Sequence, residues 1–226
     1  MPDYIFPLAS VENLGSGDHP IARPLGTGFL VRGHDGFALT AGHVVDGEVN
    51  DKIGALFLDS DGYWRASPVR EIHRHPDDDL ALIRIEGVDW DSELFVTSAS
   101  EQGSAHYSMW GYPLDIMNEE VREGRAVLNP VLIFSEGHIR RSMTDIRLPG
   151  ISGRRLYELG TVAGSGCSGS PICIRQPGRH PFEVVGVYIG ERYSESDHVS
   201  VGFAVRSEAI LEMWPQLAVT AVRGTK

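Results

Sequence analysis

The feature that most limits what this chain can fold into is the beat of its turns. Clusters of turn formers recur every eight to twelve residues: "GHDG", "DSDG", "HPDDD", "NEE", "SEG", "LPG", "QPGRHP" and "SESD". Between them lie short runs rich in Val, Ile, Phe and Leu: "GFLVRG", "GFALTAG", "IGALFLD", "DLALIRIEG", "AVLNPVLIF", "SPICIR", "EVVGVYIG" and "VSVGFAV". Apolar runs of this length bounded by Gly, Pro, Asn and Asp read as strands, and their even spacing predicts an all-β barrel or sandwich. Several runs do not alternate cleanly, as expected where both faces of a strand are covered. One segment departs from the pattern. "RSEAILEMWPQL" predicts a short helix near the C-terminus, with Ser207 as N-cap, Ile210, Leu211 and Trp214 on one face, and Pro215 as the stop.

At 226 residues the chain can bury a sizeable core, as one large domain or two packed lobes. The polar stretch "TSASEQGSAH", residues 97 to 106, predicts a link between lobes. The expected division is residues 1–105, residues 106–206, and a helix and tail at 207–226. A formal net charge of −11 repels phosphate backbones and excludes nucleic acid as an expected partner. The short basic pieces "RRSM" and "GRR" read as solvated loop charges. No run of about 18 apolar residues is present, so no membrane span is expected. The start "MPDYIFPLAS" lacks a basic segment followed by an apolar stretch, so no secretory leader is expected. Cys167 and Cys173, six positions apart, make a poor disulfide framework and point to a reducing, cytoplasmic setting. Cys173 reads as a small apolar residue in a strand.

The stretch "GSGCSGSPICI", residues 164 to 174, has two readings. Gly164, Gly166 and Gly169 spell G-x-G-x-x-G, which would cradle a dinucleotide if a strand preceded it and a helix came after. Instead, Ser170-Pro171 and the strand-like "ICI" come after Gly169, and no βαβ alternation occurs. An α/β-hydrolase elbow, G-x-S-x-G, fails because position 170 is Ser. The other reading, G-x-S-G-x-P around Ser168, makes that serine a nucleophile. A hydroxyl is a poor nucleophile at neutral pH, so it needs a base, and the base needs a partner to fix its tautomer. "ALTAGHVV" supplies His43 just after an apolar strand. "HPDDDLALIRI" supplies Asp79, which abuts the apolar run Leu80–Ile83, with Asp78 and Asp77 as its competitors. His73 and His75 beside these aspartates suggest a metal site, but their spacing and Pro76 read more simply as an exposed loop.

Together these stretches resemble the chymotrypsin-fold (trypsin-like) serine peptidases. "GTGFLV", "FALTAGHVV", "HRHPDDDLALIRI", "MWGYP", "GSGCSGSPI", "VVGVYIG" and "VGFAV" fall in that family's order from about residue 25 to about residue 215. The resemblance implies an all-β fold of two six-stranded Greek-key barrels packed across a catalytic cleft, with a short C-terminal helix. It implies a serine endopeptidase working through His43, Asp79 and Ser168 and an acyl-enzyme. The backbone N–H groups of Gly166 and Ser168 would form the oxyanion hole. Val162 and Ala163, the strand Val187, Tyr188, Ile189 and Gly190, and Gly202 would bind substrate, with Tyr188 narrowing the pocket. The partner is a protein or peptide substrate, with room for a regulatory protein, and no cofactor or metal is called for. The alternative is a peptide-binding module of the same fold that is latent or silent.

Three departures from the family carry expectations. Cys167 stands where secreted members often have the Asp that pairs with a freed N-terminus, so that activation is not expected. A thiol in this place would also make activity redox-sensitive. Val162, six before Ser168, is apolar where an Asp would favour Arg or Lys, so an apolar or small residue is expected on the acyl side of the cut. HtrA-type enzymes share the "GTGFLV", "TAGHVV" and "DLALIRI" patterning and usually add a PDZ domain. Here about a dozen residues follow the helix, so neither that domain nor a cage or trimer is expected.

Overall fold

A computed structural model describes residues 3–11, 22–33, 36–46, 52–97, 103–116, 118–122, 125–175, 178, 182–194 and 199–218. The first half is a closed barrel. Its strands are β1 (Ile5–Val11), β2 (Ala22–Leu30), β3 (Phe37–Thr40), β4 (Ile53–Leu58), β5 (Trp64–Arg74) and β6 (Ala81–Ile85). They close in the order β1-β2-β3-β6-β5-β4. Apolar side chains are buried on both faces of its wall: Phe6, Leu8, Ile53 and Ile83 on one, Phe29 and Leu39 on the other, all fully buried.

The second half holds β7 (Phe95–Val96), β8 (His106–Gly111), β9 (Asn118–Arg122), β10 (Arg125–Asn129), β11 (Ile133–Leu148), β12 (Ile151–Leu159), β13 (Pro171–Ile174), β14 (Glu183–Ser194) and β15 (Val199–Arg206). The sheet order is β13-β8-β11-β12-β15-β14-β7, and β13 also pairs with β14. That last pairing returns the order to its start and closes a second six-stranded ring. β7, which precedes the polar stretch at 97–106, lies parallel to β14 outside the ring. β9 and β10 form a separate hairpin. One apolar cluster runs from Leu39 and Ile83 of the first barrel to Val187, Phe203, Ile210 and Trp214 of the second half. A smaller one fills the second barrel around Tyr107, Tyr157, Leu159, Ile172 and Tyr188. The all-β reading with one short C-terminal helix holds.

Several local expectations are corrected. "SEG" is not a turn, and "RRSM" and "GRR" are not loops. They lie inside β11 and β12, whose register runs from Ile139 opposite Leu159 to Leu148 opposite Ile151. Arg140 and Arg141 are exposed on that hairpin and both reach Glu158. Ladder bonds hold these strands where burial does not, so their sequence carries little apolar signal. The helix α1 (Ser207–Met213) begins one residue earlier than a Ser207 cap requires. β15 runs straight into it, Arg206 is the extended residue before it, and no side chain caps it. Residues 98–102, half of the polar stretch at 97–106, lie outside the described residues. Among the described residues, no helix is long and apolar enough to cross a membrane.

Candidate active site

β3 and β6 are antiparallel neighbours, with Thr40 opposite Ala81. Residues just past Thr40 and just before Ala81 therefore leave the same end of the pair. His43 sits there in the 3₁₀ turn Gly42–Val45, and Asp79 in the bend before β6. Asp79 holds His43 at two points. Its Oδ1 accepts the His43 backbone N–H at 2.8 Å, and its Oδ2 lies 2.7 Å from Nδ1. Gly42 permits this approach, since a Cβ there would lie 2.9 Å from Asp79 Oδ1. The hydrogen bond to Asp79 is the main cause raising the His43 pKa above 6.5. The charges of Asp79 and Asp46 add to it, and partial burial works against it.

The neighbouring acidic residues do other work. Asp78 is buried, and its Oδ1 accepts the Arg154 N–H at 2.6 Å and the Arg155 N–H at 3.3 Å, tying this bend to β12. His75 is not on an exposed loop, for its side chain is 7% exposed. Its Nδ1 accepts the N–H groups of Asp77 and Asp78, and its ring meets Trp214 edge-on. Among the described residues no group of three or more His, Cys, Asp or Glu could hold a metal.

The glycine stretch is a turn, not a helix entry. Gly164, Gly166 and Gly169 all have positive φ, and β13 begins at Pro171. No helix N-terminus exists there to receive a pyrophosphate. Two peptide planes in this turn are fixed from behind. The Ser165 carbonyl accepts the Leu114 N–H at 2.8 Å, and the Cys167 carbonyl accepts the Ser170 N–H at 3.0 Å. In a trans peptide the N–H points opposite to the C=O, so the N–H groups of Gly166 and Ser168 are directed away from those anchors. Among the described residues, neither N–H is taken by a protein acceptor.

Thr27, which the sequence reading did not single out, couples the turn to the first barrel. Its N–H donates to the Ser168 carbonyl at 2.8 Å, and its hydroxyl donates to the Gly166 carbonyl at 2.8 Å. The same hydroxyl accepts the Tyr112 N–H at 3.0 Å, and its carbonyl accepts the Thr40 hydroxyl at 2.7 Å. Neighbouring Gly26 is wedged between Val44, the residue after His43, and the Ser168 carbonyl. The turns of His43 and Ser168 thus rest on the same two residues of β2. The only available clue in sequence was a threonine between two glycines in "GTGFLV". Ser168 Oγ makes its hydrogen bond to the Ile189 carbonyl, at 3.5 Å. Among the described residues no hydrogen bond joins it to His43.

Of the expected substrate-binding residues, Val187, Tyr188 and Ile189 are buried in β14, and Gly190 has φ +140° at a register shift between Tyr188 and Gly190. The Tyr188 hydroxyl accepts the Ala163 N–H at 3.2 Å, and Val162 precedes it in the partly exposed segment before the turn. Gly202 lies in β15 opposite Leu159. Leu148, Gly150, Ile151 and Ser152, at the tip of the β11–β12 hairpin, wall a groove of about 440 Å³ beside His43.

Cys167 and Cys173 are free and buried. Burial, with the charges of Asp115 and Glu191, pushes the Cys167 thiol up to about 12, and its Sγ is 3.1 Å from the Ala163 carbonyl. The thiolate is the reactive species, so this burial opposes the redox sensitivity expected from position alone. Neither thiol is expected to react with Ellman's reagent at about pH 8 until guanidinium unfolds the chain. Rapid reaction of Cys167 in the native protein would refute this.

Residues 26–187 match the family model described as a trypsin-like peptidase domain. By sequence, no curated protein matches the chain. Among solved structures, the Rv3671c protease of M. tuberculosis in its active form is 19% identical, with a TM-score of 0.60 over 97% of this chain and 82% of that one. The HtrA-type protease AlgW, solved with a decapeptide, is 15% identical, with a TM-score of 0.67 over 96% of this chain and 64% of that one. The MamO protease domain of Magnetospirillum magneticum is 16% identical, with a TM-score of 0.62 over 94% of this chain and 96% of that one. At these identities the likeness concerns the fold.

Proposed function

This chain belongs to the trypsin-like peptidase family, a family of serine peptidases, and on that premise we propose that it is an endopeptidase whose chemistry runs through His43, Asp79 and Ser168. Ser168 Oγ attacks the peptide carbonyl carbon while His43 Nε2 takes its proton. The N–H groups of Gly166 and Ser168 receive the oxyanion. His43 then protonates the leaving amine, and water hydrolyses the acyl-enzyme with His43 again as base. The chemistry requires no cofactor. The observation that carries this reading is the two-point hold of Asp79 on His43, which fixes Nδ1 as the protonated nitrogen and leaves Nε2 to act as base.

The substrate is a protein or peptide laid as an added strand along Ile189 and Gly190, with Val162, Ala163 and Gly202 near its acyl-side residue. Val187 and Tyr188 lie just before this stretch and are already paired on both edges. The division into lobes at 1–105 and 106–206, with a tail at 207–226, suits this reading, because His43 and Asp79 come from the first and Ser168 from the second. Two free cysteines favour a reducing, cytoplasmic setting. A dedicated protein substrate and a regulatory partner complete the proposal.

A second reading, a latent form, is favoured by one observation: Ser168 Oγ faces the Ile189 carbonyl. Fluorophosphonate labelling with mass-spectrometric mapping separates the two. The active reading expects one adduct, on Ser168, formed without an added partner. A folded protein that takes no adduct would sink it in favour of the latent form.

A further inference from the structure

The acyl-side pocket proposed above lies between the segment Val162–Gly164 and strands β14 and β15. In this chain a side chain already occupies that space. Tyr188 is fully buried, and its ring lies so close to Gly202 that a Cβ there would be 3.0 Å from Cε2. Its hydroxyl crosses to the opposite wall, where it accepts the Ala163 N–H at 3.2 Å and donates to Glu191 Oε2 at 3.0 Å. The same carboxylate oxygen accepts the Gly164 N–H at 3.0 Å. Tyr188 and Glu191, both from β14, are therefore bolted to the facing segment by hydrogen bonds to Ala163 and Gly164 and joined to each other by a third.

We propose that Tyr188 and Glu191 set the specificity of this peptidase by filling and bridging its acyl-side pocket, which restricts cleavage to peptides with Gly, Ala or Ser at that position. The inference rests on the proposed function and narrows it. A Leu, Phe or Lys side chain would have to displace a buried ring. It would also strand a phenol hydroxyl and the Ala163 N–H without partners, a cost that a small side chain avoids. The Glu191 carboxylate does not convert the site to Arg or Lys preference. It already accepts two donors, and the ring fills the shaft that a long cation would follow.

The test is the rate of inactivation by peptidyl diphenyl phosphonates that differ only in their acyl-side residue: Ala, Leu, Phe or Lys. A small fluorophosphonate serves as a probe insensitive to the pocket. Wild type is expected to react with the Ala compound at least about 10-fold faster than with the others. Tyr188→Ala should narrow or reverse that ratio, again by about 10-fold. Tyr188→Phe, which keeps the ring, should retain the preference for Ala. Should Tyr188→Ala fail to fold, the wild-type and Tyr188→Phe profiles decide alone. Equal or faster reaction of the Phe or Lys compound with a wild-type protein that takes the fluorophosphonate overturns the pocket inference and leaves the endopeptidase reading standing. A wild-type protein that takes no fluorophosphonate overturns both.

Discussion

Replacing Asp79 with asparagine is expected to lower kcat about 10⁴-fold while the protein stays folded. Oδ2 now accepts from His43 Nδ1 at 2.7 Å, and Oδ1 accepts the His43 backbone N–H at 2.8 Å. An asparagine can satisfy only one of these with its carbonyl. If that oxygen keeps the backbone N–H, the amide NH₂ faces Nδ1 and forces the ring to accept there. The proton then sits on Nε2, the atom that must receive it from Ser168. The pH profile carries an independent signature. Asp79 is the main cause holding the His43 pKa above 6.5, and the base must be neutral to act. Wild-type kcat/KM should therefore fall on the acid side with a midpoint above 6.5, and the variant's acid limb should lie at lower pH.

Stability shifts with the opposite sense. A His whose pKa is raised by folding stabilises the fold below its unfolded pKa, and that contribution is lost as pH rises through the folded pKa. The variant should therefore lose more stability near about pH 6 than near about pH 8. A loss of kcat smaller than about 10-fold, or an acid limb that does not move, would refute the assignment of Asp79.

The residues proposed to carry the chemistry could be read from sequence because each borders a short apolar strand. His43 follows "FALT" and Asp79 precedes "LALI", and the β3–β6 pairing that joins them is local to one barrel. Ser168 was marked by glycines whose positive φ the structure requires. What escaped was whatever depends on the other barrel. Thr27 is an ordinary strand threonine until the second barrel brings Gly166, Ser168 and Tyr112 to it. Glu191 looks like a solvated charge after "YIG" until Tyr188 and Gly164 meet it. His75 reads as a loop residue because the ring it packs against, Trp214, lies far along the chain. The long hairpin β11–β12 was broken into turns and loops because its exposed Arg and Ser residues carry no apolar period. Periodicity reports burial, and backbone pairing without burial leaves no such trace.

Gly169→Ala should be the substitution with the largest combined effect on fold and activity. Gly169 has φ +96°, which costs an L-residue about 1–2 kcal/mol by itself. The added methyl would overlap the Thr27 carbonyl oxygen and lie 2.5 Å from Thr40 Oγ1, two atoms already hydrogen-bonded to each other. Neither is the free end of a long side chain, so the obstacle cannot swing aside. The turn must move instead, and it is tethered on both sides. Gly169 N–H donates to the Tyr188 carbonyl at 2.7 Å, and the Ser168 carbonyl accepts the Thr27 N–H at 2.8 Å. Relief of the clash breaks at least one tether and carries Ser168 with it. A misplacement of about 1 Å at a reacting atom can cost about 100-fold in rate. The expected outcome is therefore a loss of kcat of at least about 100-fold, with about 3 kcal/mol or more of stability lost by urea unfolding.

Gly62→Ala isolates the backbone contribution. Gly62 has φ +80°, and a Cβ there would meet nothing within 4 Å, so that variant should lose only about 1 kcal/mol and keep its activity. If Gly169→Ala instead matches Gly62→Ala in urea midpoint and turnover, the packing of the Ser168 turn against β2 does not position the nucleophile.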